Sequence, residues 1–292
     1  MHISEINIFP IKSLKGISLD EAMVEVRGLR YDRRWMLADE SGKFFTQREF
    51  PKMATITVEI KEKGLLVSAE HTTGILIPFQ PEPGRTQEVM IWQSVCPGEI
   101  YSDGVNDWFS QVLDTKCQLV YMPDDSRRSV NPRFDSGEDI VSFADGYPLM
   151  VLSVASLADL NERILSTLKD ADEGVRVPLP MNRFRPNIVV SGSEAFAEDN
   201  WKKIKIGDAV FRSTKPCERC VVTTVDQISG EFDGKEPLKT LASYRMAKMV
   251  MPEHYESLGV GANAVLFGQN LITETPGVTI KAGDQIEILT TR

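Results

Sequence analysis

No stretch of about 18 consecutive apolar residues occurs in the 292-residue sequence, which excludes a membrane-spanning helix. The start, Met1-His2-Ile3-Ser4-Glu5-Ile6, alternates like a strand and lacks the basic-then-apolar layout of a secretion signal. Cysteine is scarce. Cys96, Cys117, Cys217 and Cys220 are too few for a disulfide scaffold in a chain of this length, so a reducing, cytoplasmic setting is expected. Histidine is scarcer still: His2, His71 and His254 give little material for a Ser-His-Asp triad. Glycine-rich phosphate loops, GxSxG and HExxH are all missing, as are internal repeats and low-complexity tracts. There is no cationic excess either. With 33 Lys and Arg against 42 Asp and Glu, the net charge of -9 argues against nucleic acid or an anionic membrane as a partner.

What is present is an ordinary globular composition, 42% hydrophobic and 26% charged. The first ~100 residues read as short strands between turns. Ile6 and Ile8 alternate with Glu5 and Asn7, and Ile56, Val58 and Ile60 with Thr57 and Glu59. Strands of this length and spacing favour a barrel or sandwich over a βαβ sheet. A helix is predicted after Asp103, where Val105, Trp108, Phe109, Val112 and Leu113 form one apolar stripe. A second is predicted to open on a capping box of Ser156 and Asp159 and to carry Leu157, Leu160, Ile164, Leu165 and Leu168. A third is predicted from Pro237, with Leu238, Leu241 and Tyr244. The charged, Pro-rich stretch from Lys169 to Asn182 reads as a loop. The β-branched run Val221-Val222-Thr223-Thr224-Val225 predicts a strand. Val278 to Lys281, a Gly283-Asp284 turn and Gln285 to Leu289 predict a terminal hairpin. The expected architecture is mostly β (α+β) with a few flanking helices, divided near residues 115–125 into 1–120 and 121–292.

Cys217-Glu218-Arg219-Cys220 is the one cysteine pair with recognisable spacing. A structural zinc site needs four ligands, and the remaining candidates are isolated. A thioredoxin-like dithiol needs a helix N-terminus, whereas this pair runs into a predicted strand. Two cysteines packed as small hydrophobes remain an alternative. Against that, Lys215 and Arg219 supply cations that favour a thiolate, a soft donor for a transition metal. Basic residues elsewhere cluster at turns: Lys12-Ser13-Leu14-Lys15, Asp32-Arg33-Arg34 and Arg183-Phe184-Arg185-Pro186-Asn187. If folding joined them, they could hold an anion through charge-assisted hydrogen bonds.

Seven segments, in order, resemble the MOSC family, and within it the mitochondrial amidoxime-reducing components and their bacterial homologues. They are Phe9-Pro10-Ile11-Lys12-Ser13-Leu14-Lys15-Gly16, Asp32-Arg33-Arg34-Trp35, Phe143-Ala144-Asp145-Gly146-Tyr147-Pro148, Ser156-Leu157-Ala158-Asp159-Leu160-Asn161, Phe184-Arg185-Pro186-Asn187-Ile188-Val189, Cys217 to Asp226, and Leu266-Phe267-Gly268-Gln269-Asn270. The resemblance implies a MOSC β-barrel domain preceded by a smaller β-rich N-terminal domain, with molybdenum cofactor (Mo-molybdopterin) between them. It implies that Cys220 is the protein ligand of the metal and carries the catalysis. Lys12, Ser13 and Arg33 would contact the cofactor from one side and Arg185 and Asn187 from the other, with Arg219 flanking Cys220. Asp145 and Gly146 match a further lining segment, and Cys217 is expected to be dispensable. No pyridoxal phosphate is expected. The implied activity is the two-electron reduction of small N-hydroxylated compounds such as amidoximes, hydroxylamines and N-hydroxylated bases. No cysteine follows Cys220, so no plant-type iron–sulfur cluster can form after it. Electrons are therefore expected from a separate donor protein of flavin reductase, ferredoxin or cytochrome type. The alternative is a carrier or sulfur-transfer protein for the cofactor, without reductase activity.

Overall fold

The computed structural model describes residues 1–167 and 177–292. His2–Ile8 forms the expected alternating strand, with Ile3, Ile6 and Ile8 buried. It lies in an eight-stranded sheet whose order is Ile286–Thr291, Trp201–Ile206, Ala209–Arg219, Val265–Thr273, Leu149–Ser153, Ile188–Ser191, His2–Ile8 and Ile17–Leu19. The first and seventh of these come together again. His2 bridges Gln285, Ile3 N donates to Asp284 O (3.0 Å), and Ile286 N donates to Met1 O (3.0 Å). The sheet thus curls into a barrel filled by Ile3, Ile6, Val151, Ile188, Phe211 and Leu271.

Around the barrel lies a second body of strands. Trp35–Ala38, Gln118–Tyr121, Ser94–Ile100 and Thr86–Ile91 form a four-stranded antiparallel sheet, and Thr57–Lys61, Gly64–Ser68 and Ile75–Pro78 form a three-stranded one. The helix Asp103–Leu113 packs the expected Val105, Phe109, Val112 and Leu113 against them, with Trp35, Leu37 and Leu119. The fold is mostly strand, and among the described residues no helix is long and apolar enough to cross a membrane.

Four local expectations change. The second helix runs Val154–Thr167, starting before Ser156. Its cap is Ser153, whose Oγ accepts from Ser156 N (3.0 Å), while Ser156 Oγ instead donates to Glu198 Oε1 (2.7 Å). Leu168 and the first part of the predicted loop lie outside the described residues. The third helix spans Leu238–Tyr244, with Pro237 at its N-cap. The terminal hairpin does not form, because Thr279–Lys281 pairs with Glu21–Glu25 and Ile286–Thr291 with Trp201–Ile206. The predicted strand from Val221 is a 3-10 turn, Val221–Thr224. Thr223 Oγ1 donates to Cys220 O (2.9 Å) and Thr224 Oγ1 to Val221 O (2.8 Å), so hydroxyl-to-backbone bonds override the β-branched preference.

Candidate functional site

Where the smaller sheets meet the barrel is an open cleft with a cavity of about 180 Å³. Its first lip is built by two loops zipped together. Arg33 N donates to Phe9 O (2.9 Å), Lys12 N to Trp35 O (2.7 Å), and Phe9 N to Asp32 Oδ1 (2.7 Å), which brings Lys12, Ser13 and Arg33 side by side. Phe143 N donates to Arg33 O (2.9 Å) and draws in Asp145 and Gly146. The opposite lip is Arg185 and Asn187, just before Ile188–Ser191, with Arg219 and Cys220 at the end of Ala209–Arg219. Every residue expected at the site lines this one cleft. Ser13, Arg33 and Arg185 also share left-handed backbone, at φ 67°, 50° and 55°. Non-glycine residues adopt this region rarely and keep it where the surrounding structure fixes them.

The charges are arranged unevenly. Arg33 donates to Asp32 Oδ2 (2.5 Å) and to Asn187 Oδ1 (3.1 Å), while Asn187 Nδ2 donates to Asn7 O (3.1 Å). Asn187 therefore orients Arg33. The Arg33 and Arg185 guanidinium carbons lie 4.5 and 4.1 Å from the centroid of the same Phe9 ring. Among the described residues no side-chain hydrogen bond or ion pair is made by the Arg185 guanidinium. Burial, reinforced by the Arg33 charge, pulls Arg185 down to about 9. A guanidinium holds its proton even so. Lys12 is buried, which lowers its pKa against the opposing pull of Asp145. It donates to Phe143 O (2.9 Å) and pairs with Asp145. Burial works against the Asp145 carboxylate, yet Lys12 and Arg48 outweigh it and hold the group below its ordinary value.

Neither cation that the spacing suggested donates a hydrogen bond to a cysteine sulfur among the described residues. Lys215 pairs with Glu218 (2.5 Å), and Arg219 turns back to donate to Phe267 O (2.7 Å) and Phe184 O (3.0 Å). Close approach of Arg219 depends on Gly268, at φ 81° in a bulge of Val265–Thr273. A β-carbon there would lie 2.8 Å from Val151 O and 3.2 Å from Arg219 Nη2. The cation that does reach the sulfur is Arg48, whose Nη2 donates to Cys220 Sγ at 3.1 Å across 172 residues of chain. Burial pushes the Cys217 thiol up, and the residue packs beside Met150, Phe184 and Phe267. Sequence reasoning missed Arg48, and it grouped Arg183, which is 1% exposed, with the basic turns that could hold an anion. Arg183 donates to Thr224 O (3.2 Å) and pairs with Asp226 and Asp233, fastening the turn after Cys220. Arg48 carries no local signal, since it acts on a segment remote in sequence.

Two family models match the sequence: the MOSC N-terminal beta barrel domain over residues 1–116 and the MOSC domain over 138–287. The chain belongs to the MOSC family. Among relatives of this MOSC protein, the mouse mitochondrial amidoxime-reducing component 1 is 34% identical over 297 residues, covering 98% of this chain and 82% of its own length. The human mitochondrial amidoxime-reducing component 1 is 31% identical over 296 residues, with the same coverage. A rice protein, molybdenum cofactor sulfurase, is 33% identical over 285 residues, covering 92% of this chain but only 34% of itself.

The donor set suits an anionic cofactor that brings most of its own metal ligands. Among the described residues no three His, Cys, Asp or Glu converge to hold a metal ion. Cys220 instead shares a cleft with the unpaired Arg185, and a β-carbon on Gly146 would meet nothing within 4 Å, so the wall there is open.

Proposed function

We propose that this MOSC protein holds molybdenum cofactor in the cleft and reduces small N-hydroxylated compounds, with electrons from a separate donor protein of flavin reductase, ferredoxin or cytochrome type. The single observation that carries the reading is the half-buried Arg185, without an ion pair among the described residues, stacked with Arg33 on Phe9 in the same cleft as the Cys220 sulfur. A pterin phosphate is the kind of anion two neighbouring guanidiniums and an ammonium grip through charge-assisted bonds. When bound, the cofactor supplies a metal that exchanges two electrons. Arg33, Arg185 and Lys12 bind the anionic end, with Ser13 and Gly146 beside them. Asn187 keeps Arg33 aimed inward, and Arg219 braces the strand end that carries Cys220. Cys220 is the protein's metal ligand and catalytic residue, and Asp145 holds the Lys12 ammonium in place.

A second reading, a carrier or sulfur-transfer protein, draws support from the likeness to the rice sulfurase. Metal and pterin analysis of protein made in a cofactor-producing host, followed by benzamidoxime turnover with a chemical reductant, separates the two. About one molybdenum per chain with turnover is expected. Release of the cofactor to an apo-enzyme without turnover would favour the carrier, and no bound molybdenum would sink both.

A further inference from the structure

The contact between Arg48 and Cys220 is built from behind by a residue in an unfavourable place. Thr86–Ile91 and Ser94–Ile100 pair as a hairpin, with Ile91 opposite Ser94, so the loop is the two residues Trp92 and Gln93. Trp92 takes φ 56°, at the first loop position, where glycine is favoured and a bulky side chain is strained. It is also 49% exposed, so burial alone does not explain an indole there. The indole meets Phe44 edge-on at 5.2 Å, and the Arg48 guanidinium carbon lies 4.7 Å from its centroid. From that platform Arg48 Nη2 reaches Cys220 Sγ at 3.1 Å, with Asp145 Oδ2 at 3.7 Å. The backbone below is fixed as well. Arg48 N donates to Thr46 Oγ1 (3.1 Å), and the buried Gln47 bonds Ser13 O (2.7 Å) and exchanges amide bonds with Gln227.

We propose that Arg48 is the positioning residue for the Cys220 sulfur, and that Trp92 is retained at a glycine-like position to hold Arg48 there. The N–H···S bond selects one orientation of the sulfur and draws electron density from it, as hydrogen bonds to metal-bound sulfurs do. The surrounding strands of the N-terminal half thus set the geometry of a ligand borne by the barrel. The proposal rests on Cys220 being the metal ligand, but its first test does not.

In full-length protein without cofactor and labelled with 13C-cysteine, the three-bond couplings of the Cys220 β-protons should report a single χ1 rotamer. Arg48→Met should average them, Arg48→Lys should recover part of the order, and Trp92→Gly should loosen them while circular dichroism shows the fold retained. Identical couplings in wild type and Arg48→Met would overturn the proposal. In protein loaded with molybdenum, Arg48→Met should keep the metal to within twofold of wild type. Its Mo(V) electron paramagnetic resonance spectrum should change and its midpoint potential should fall, because the electron-withdrawing bond is gone. An unchanged spectrum and potential would equally count against Arg48. A wild type that holds no molybdenum would instead defeat the reading of the cleft, leaving the rotamer result to decide the role of Arg48.

Discussion

Two guanidiniums against one phenyl ring repel each other, and among the described residues Arg33 has an ion pair, with Asp32, while Arg185 has none. Removing the unpartnered one should relieve the cofactor-free protein and harm the loaded one. Arg185→Leu is expected to leave the melting temperature without cofactor unchanged or higher. Retained molybdenum should fall about ten- to a hundredfold, from the loss of a charged hydrogen bond of roughly 1.5–3 kcal/mol. Metal analysis beside thermal melts checks both halves. The cysteines divide in the same way. Cys217 is a packed thiol whose pKa burial raises, while Cys220 faces Arg48 in the cleft. Cys220→Ser should lose turnover and Cys217→Ser should keep molybdenum. Equal loss of metal in both would mean that the pair acts as a dithiol.

At the level of elements, two devices hold the segments that carry the site. The turn Val221–Thr224 depends on hydroxyls where the residue types favour a strand. Thr223→Val keeps the shape of a 3% exposed side chain but deletes its bond to Cys220 O, and should cost about 1 kcal/mol in chemical denaturation. The N-terminus of Val154–Thr167 is bound by Glu198, which is 1% exposed, and its Oε1 accepts from Ser153 N (3.2 Å) and Ser156 Oγ (2.7 Å). Burial raises its pKa above the ordinary 4.5, with those bonds opposing. The folded state therefore favours the protonated acid, and the carboxyl detracts from stability increasingly as pH rises through and beyond 4.5. Glu198→Gln cannot ionise, so its melting temperature relative to wild type should climb from pH 4.5 toward neutrality. A constant difference across that range would show that Glu198 does not titrate as argued.

For the molecule as a whole, the barrel borrows its seventh strand from the start of the chain. His2–Ile8 fills the gap between Ile188–Ser191 and the turn at Asp284, and Glu21–Glu25 covers Thr279–Lys281. Residues 121–292 expressed alone would leave the Ile188–Ser191 edge open and its Ile188 and Val190 without their partners. That fragment is expected to aggregate or give a collapsed amide NMR spectrum, whereas the full chain gives a dispersed one. A well-folded fragment would mean that the barrel closes without the first strand. The same interleaving joins the two lips of the cleft, through the Gln47–Gln227 pair and the Arg33–Asn187 bond.

Much of this was legible in the residues themselves. Alternation in His2–Ile8 and the stripe on Asp103–Leu113 fixed strand and helix, because burial on one face imposes a period that one-dimensional spacing records. Ordered motifs likewise identified the MOSC family and pointed to Lys12, Arg33, Arg185 and Cys220, which all line one cleft. Tertiary structure decided what spacing cannot carry. Thr279–Lys281 found Glu21–Glu25 in place of its neighbour, and two threonine hydroxyls turned a β-branched run into a 3-10 turn. Arg219, adjacent to Cys220 in sequence, faces carbonyls instead, while Arg48, 172 residues away, touches the sulfur. A side chain's partner is set by the geometry of the closed fold, and sequence adjacency does not determine where a guanidinium points once its backbone is held in a strand.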